Sequence, residues 1–214
     1  AVKSIAFINP NSTTEMTESC AASLQAVIGG GYEVLAVTNH DGPASIQGEE
    51  DGQAAIPGLL AAVAAHSDCD GIILGCFDDT GLAEARAMAR RPLIGIGQAS
   101  FHLATLKGGD FHILTTLAVS IPVIEANLAQ QNFSTSCTAV LASGVPVLDL
   151  EHHPDAALET ISTHIAAIEQ GDPGPTIILG CAGMTNIHGR LQVRHDATLV
   201  DPISAAARLM PALL

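Results

Sequence analysis

Gly71-Ile72-Ile73-Leu74-Gly75-Cys76 and Thr176-Ile177-Ile178-Leu179-Gly180-Cys181 are the two stretches on which the reading of the fold turns. Each is a short apolar run, rich in isoleucine and closed by Gly-Cys. A run of that length bounded by glycine reads as a strand buried on both faces, which puts its cysteine at the strand's carboxyl end. Open α/β sheets place their ligands at that end. The chain therefore carries one unit twice and offers a thiol from each copy to a shared cleft. Two thiols facing one carbon suggest proton transfer.

Outward from these strands, Ser4 to Ile8 reads as an opening strand that Asn9-Pro10-Asn11-Ser12 ends in a turn. Ser12 and Glu15 have capping-box spacing, and Met16, Cys20, Leu24 and Val27 recur at helical intervals. Glu33 to Val37 is a second strand, followed by the small-residue loop Asp41-Gly42-Pro43-Ala44-Ser45-Ile46. An Ala/Leu/Val-rich helix follows, and the proline at 57 favours a start there. After the first Gly-Cys strand come a helix from Gly81 to Arg90 and the strand Leu93 to Ile96.

The same alternation repeats. Gln98 to Leu106 connects, Phe111 to Thr115 is a strand, and Ile121 to Gln131 is a helix with Pro122 in its first turn. Thr138 to Ala142 and Val145 to Leu148 read as short strands, and Leu158, Ile161, Ile165 and Ile168 mark an amphipathic helix. Thr198 to Asp201 leads into a last helix from Ile203. The fold class expected is α/β: two lobes, each a parallel sheet flanked by helices, with the active site in the cleft between them. The boundary falls near Gly97.

The 214 residues are 48% hydrophobic and 14% charged, enough apolar content for a sizeable core. A net charge of −14 with only eight Lys plus Arg argues against nucleic acid and against an anionic membrane. Five cysteines without regular spacing are not a secreted disulfide framework, and no basic start plus apolar run is present, so a reducing cytoplasm is expected. The longest unbroken apolar stretch, Leu59 to Ala65, is far short of the roughly 20 residues a membrane span needs.

Cys20, Cys69 and Cys137 read as structural. Cys76 and Cys181 differ because each follows a buried strand and precedes small or polar loop residues. A thiol has a pKa of about 8.5, in the range useful for removing a proton beside a carbonyl, and a second thiol can return it from the other face. No cofactor is then required. A disulfide, a soft-metal site and nucleophilic catalysis are the alternatives; a metal would want further ligands, and no zinc-type spacing joins the cysteines to His152, His153 or His188.

The chain resembles the aspartate/glutamate/hydantoin racemase superfamily, and within it the hydantoin and allantoin racemases. The pieces that carry the resemblance are Asn9-Pro10-Asn11-Ser12 with Met16-Thr17, Gly42 to Gly48, Cys76-Phe77-Asp78-Asp79-Thr80-Gly81-Leu82, Thr115-Thr116, and Leu179-Gly180-Cys181-Ala182-Gly183-Met184. The resemblance implies a cofactor-independent two-base racemase with Cys76 and Cys181 as acid and base. It also implies pseudo-symmetric lobes, 1–97 plus 202–214 and 98–201, and a homo-oligomer. Asn9, Ser45, Ile46, Phe77, Thr115, Thr116, Gly183 and Met184 are the candidate substrate contacts. Each also has a plainer role: a turn for Asn9 and Ser45, strand-end capping for the threonines, core packing for Phe77.

Thr80 stands where hydantoin-type members commonly have proline. Asp78 and Asp79 are expected to turn away from the thiol and cap the following helix, because a nearby carboxylate raises a thiol's pKa. His152 and His153 read as solvent-facing. The substrate expected is a 5-substituted hydantoin, a neutral cyclic ureide, since no Lys or Arg lies in the loops that carry these residues. Allantoin, an aspartate- or glutamate-type amino dicarboxylate, and an arylmalonate-type decarboxylation by one cysteine are the competing enzymatic readings. A silent two-lobed binding protein and a dithiol redox protein are the others.

Overall fold

A computed structural model describes all residues, 1–214. Eight strands form two four-stranded, wholly parallel sheets. The first holds β1 (Lys3–Asn9), β2 (Tyr32–Thr38), β3 (Gly71–Leu74) and β4 (Leu93–Gly95) in the order β2-β1-β3-β4. The second holds β5 (Phe111–Thr115), β6 (Cys137–Ala142), β7 (Thr176–Gly180) and β8 (Thr198–Val200) in the order β6-β5-β7-β8. The second order is the first displaced by four strands. In each sheet the chain reverses its direction of travel between the two central strands, and there the carboxyl ends leave a crevice.

The central strands β3, β5 and β7 are buried along their whole length. That is why they read as continuous apolar runs, whereas the edge strands β2 and β6 are only half-buried. Helices α1 (Thr14–Ile28), α2 (Glu49–Ala65) and α3 (Leu82–Met88) belong to the first half; α4 (Ile96–Gly108) leads into the second. Then come α5 (Ile121–Gln130), α6 (Asp149–His152), α7 (Pro154–Gly171), α8 (Thr185–Gln192) and α9 (Pro202–Leu209). Asp201 caps α9 by accepting from the N–H groups of Ile203 and Ser204, with Pro202 in the first helical position.

Helix α9 packs against both α1 and α4, and α4 packs against β7. The two sheets consequently share an apolar cluster of 43 residues that runs from Phe7 and Ile73 to Ile113 and Ile178. Phe101 on α4 meets Phe77 edge-on at 6.0 Å and stacks on Phe111 at 6.2 Å, joining the turn after Cys76 to the second sheet. The C-terminal residue closes back on the first sheet, where Lys3 Nζ donates to the Leu214 carbonyl at 2.6 Å.

Several local expectations change. Helix α2 starts at Glu49, eight residues before Pro57, which lies inside it. Gly48 breaks the chain at φ 92°, and three acidic residues favour the helix N-terminus. Val145 to Leu148 is not a strand. Its alternate burial is real, yet its backbone donors go to side chains: Val145 N–H to Ser143 Oγ and Val147 N–H to Gln47 Oε1. The Ser12–Glu15 capping box does not form, since α1 begins at Thr14 after Thr13. On α1 it is Ile28 that is buried, while Val27 is exposed. Helix α3 stops at Met88. The periodicity of α7 is as expected, with Leu158, Ile161, Ile165 and Ile168 all buried, and His152 and His153 are exposed.

A tight steric requirement falls at Gly75, where an added Cβ would lie 2.3 Å from Phe7 Cζ; at Gly30 it would meet nothing within 4 Å. Gly75→Ala is expected to destabilise the fold by about 1–3 kcal/mol, as overpacking of a core does. Gly30→Ala should stay within about 0.5 kcal/mol of the native protein. Urea denaturation of both variants measures the difference.

Candidate active site

The carboxyl ends of β1, β3, β5 and β7 face one another across a small cleft open to solvent. Cys76 and Cys181 both line it, at equivalent places one or two residues beyond equivalent strands. Cys76 is half-buried and Cys181 buried, and neither is in a disulfide. The preceding glycines let the thiols sit this close to the neighbouring strands; a Cβ on Gly180 would come within 3.0 Å of Thr115 Cα.

Each sulfur starts a tight turn and is flanked by donors from it. The Asp78 N–H and the Thr80 hydroxyl, whose Oγ1 is 3.7 Å from Cys76 Sγ, favour the Cys76 thiolate. The N–H groups of Gly183 and Met184 do the same for Cys181. Burial outweighs them. It pushes both thiols up, Cys181 to about 12 and Cys76 further still, and the Asp78 carboxylate adds to the rise at both sulfurs.

Asp78 is thus a correction to the expectation from sequence. It does not turn away: it lines the cleft, is only 6% exposed, and its Oδ2 is buried without a hydrogen-bond partner. Burial raises its own pKa to about 7, and the Ser120 hydroxyl opposes that rise. Asp79 does turn away, but it caps a different helix. Its oxygens accept from the N–H groups of Gly97 and Gln98, in the first turn of α4, at 3.1 and 2.8 Å. At φ 50° it adopts a backbone conformation rare for a non-glycine residue.

The other candidates divide. Ile46, Phe77, Thr115 and Thr116 line the cleft, and the Thr115 hydroxyl donates to the Gly180 carbonyl at 3.1 Å. Asn9 does not. Its amide is committed to the loop, donating to Asn11 Oδ1 at 2.8 Å and Thr17 Oγ1 at 2.9 Å, while its Oδ1 accepts from the Asn11 N–H. The residue it places in the cleft is Asn11. Ser45 is half-buried outside the lining. Gly183 and Met184 lie behind Cys181, with Met184 fully buried in the core, so the turn offers backbone donors rather than side chains.

Sequence reasoning missed Asn11, Met16, Asp78, Ser120 and Val147 as lining residues. The first two lie within a quoted motif, two and seven residues after Asn9; nothing in the local sequence signals Ser120 or Val147. Cys20 approaches from α1, with its Sγ 3.6 Å from the Ala182 carbonyl, and so buttresses the turn after Cys181. No Lys or Arg lines the cleft, and no three His, Cys, Asp or Glu residues are grouped to hold a metal ion. No helix is long and apolar enough to cross a membrane.

Fold and cleft together define a two-lobed α/β protein that brings two thiols to one cleft. Comparison with known proteins gives the family. The sequence profile of the Asp/Glu/hydantoin racemase family matches residues 5–210. A hydantoin racemase of Rhizobium meliloti is 36% identical over 212 residues, 98% of this chain and 88% of that one. The solved allantoin racemase of Klebsiella pneumoniae superposes with a TM-score of 0.94 at 34% identity, covering 99% of this chain and 87% of that one. The allantoin racemase of Pseudomonas fluorescens gives 0.93 at 28%, covering 98% and 90%. The chain belongs to the Asp/Glu/hydantoin racemase family. It is an isomerase of the racemase class.

Two neighbours of Cys76 act on it with opposite sign, which gives a paired test. Asp78→Asn removes the charge that raises the thiol and is expected to speed alkylation of Cys76 by iodoacetamide at pH 8; Thr80→Val removes a donor to the thiolate and is expected to slow it. Peptide mass spectrometry reads the modified site. A change of the same sign in both variants would contradict this electrostatic account.

Proposed function

We propose that this protein racemises 5-substituted hydantoins by passing the C5 proton between Cys76 and Cys181, without a cofactor. The observation that carries the reading is the placement of the two thiols on matching turns around one cleft. In the forward direction the Cys76 thiolate takes the C5 proton and leaves an enolate whose negative charge spreads onto the adjacent carbonyl oxygen. The Cys181 thiol then delivers its own proton to the opposite face. The sulfurs have exchanged charge, and the reverse reaction starts from that state. The ring is held between Phe77 and Ile46 on the apolar side and Asn11, Thr115 and Thr116 on the polar side.

A cleft without Lys or Arg favours a neutral ring over an amino dicarboxylate. The two-thiol arrangement favours racemisation over the one-cysteine decarboxylation. Allantoin is a second substrate to test, because it is itself a hydantoin substituted at C5 and the solved relatives above are allantoin racemases. All five cysteines are unpaired, which suits a reducing compartment such as the cytoplasm.

The deciding experiment follows optical rotation of each enantiomer of 5-benzylhydantoin and of allantoin, with spontaneous racemisation subtracted. Native enzyme is expected to abolish the rotation of at least one of these compounds. Cys76→Ser and Cys181→Ser should each lower that rate by on the order of 10³-fold while circular dichroism stays native. Full activity in either single variant would contradict the two-base reading.

The pH profile has a definite sign. The working base must be a thiolate, and both thiols lie above their ordinary value. The thiolate fraction therefore grows as pH rises, and kcat/KM is expected to climb between pH 7 and pH 9. A profile that falls over that range would show that a different group serves as base.

A further inference from the structure

Beside the two cysteines, Asp78 is the one ionisable residue of the cleft lining, and the proton transfer does not use it. The residue is 6% exposed and sits in the lining with both cysteines, but Oδ2 is buried and accepts no hydrogen bond. A buried acceptor left unpaired is costly and rare, and at a ligand site the missing donor is naturally the ligand's own. The contrast with its neighbour is direct. Asp79 is equally buried and both of its oxygens are occupied, one by the Gly97 N–H and the other by the Gln98 N–H.

No cation is available to supply the missing contact. The lining holds neither Lys nor Arg, and the Ser120 hydroxyl, which lowers the pKa of the carboxyl, does not bond Oδ2. A ligand that satisfies Asp78 must therefore bring an N–H or O–H of its own. A hydantoin brings two ring N–H groups, N1–H bonded directly to C5 and N3–H between the two carbonyls. Asp78 lies two residues after Cys76 and acts electrostatically on both sulfurs, so it is close to the carbon they share. The nearer of the two donors is the one attached to that carbon.

We infer that Asp78 is a substrate-reading residue whose buried carboxyl oxygen accepts the N1–H of the ureide ring and fixes C5 between the two thiols. The inference rests on the racemase reading above and adds the atom by which the ring is oriented. It makes a free N1–H a requirement of good substrates, and it leaves N3 to the threonine and asparagine side. It also explains why a carboxylate unfavourable to thiolate formation is retained in the cleft: the ring N–H offsets its charge when substrate is bound.

The test is a cycle between substrate and protein, read as the ratio of kcat/KM for 5-benzylhydantoin to that for its N1-methyl or N3-methyl derivative. In the native enzyme, N1-methylation is expected to cost about 10- to 100-fold, the worth of a hydrogen bond to a charged acceptor. In Asp78→Ala that N1 ratio should shrink at least about tenfold, and in the isosteric Asp78→Asn it should fall between the two; the N3 ratio should be the same in all three proteins. An N1 ratio unchanged by both substitutions, or a collapse of the N3 ratio instead, would overturn the assignment. Circular dichroism checks that each variant is folded, and Asp78→Asn carries the test if the alanine variant is not. Activity of native enzyme on 5-benzylhydantoin and on allantoin is measured first. Its absence on both would sink the hydantoin reading, whereas an unchanged N1 ratio in active enzymes sinks only the role of Asp78.

Discussion

Close approach at the carboxyl ends of two central strands is the constraint on which the cleft depends. Gly75 lies against the Phe7 ring, and Gly180 lies against the backbone of Thr115. Any side chain at either place would push β3 from β1 or β7 from β5 just where the crevice of each sheet opens. The glycines are thus spacing elements, and the cysteines that follow them are delivered to the cleft by the packing of a shared core. Helices α4 and α9 extend the same core between the sheets, so the separation of the two thiols is set by buried apolar contacts and not by a loop alone.

That arrangement creates an electrostatic conflict. In the proposed reaction, burial excludes water from the reacting carbon but disfavours the thiolate that would take its proton, and the Asp78 carboxylate raises both thiols further. The turn N–H groups and the Thr80 hydroxyl oppose this without overcoming it. Thr80 is notable here because a proline at this position would have no hydroxyl to donate. On the proposed mechanism, chemistry at neutral pH then depends on what the bound ligand contributes, through its own acidity and through the N–H it donates to Asp78.

Much of this was legible in the residues. The paired Ile-Leu-Gly-Cys runs announce two buried parallel strands and two equivalent thiols, because a strand covered on both faces must be apolar throughout. Helices with a strong apolar stripe, such as α7, were equally plain. What failed has identifiable causes. Pro57 signals a helix start by local rules, whereas Gly48 and the acidic turn after it set the real one. Val145 to Leu148 alternates like a strand, but a strand needs a neighbour, and side chains from Ser143 and Gln47 take its donors. Asn9 and Asn11 flank one proline, and no rule of sequence says which amide is spent on the loop and which faces the cleft. Asp78 was misplaced by a sound argument about thiol acidity that left out what a ligand can supply.

The central claim is that two different groups serve the two faces of the same carbon, and the location of isotope tests it most directly. Each enantiomer of 5-benzylhydantoin is incubated with native enzyme in D₂O and stopped at a few per cent conversion; chiral chromatography with mass spectrometry then reads deuterium in each enantiomer separately. Two bases predict that the product enantiomer carries one deuterium at C5 while the unreacted enantiomer keeps its proton, in both directions. Deuterium appearing in the unreacted enantiomer as fast as product forms would mean that one group handles both faces, and the paired-thiol account would be contradicted.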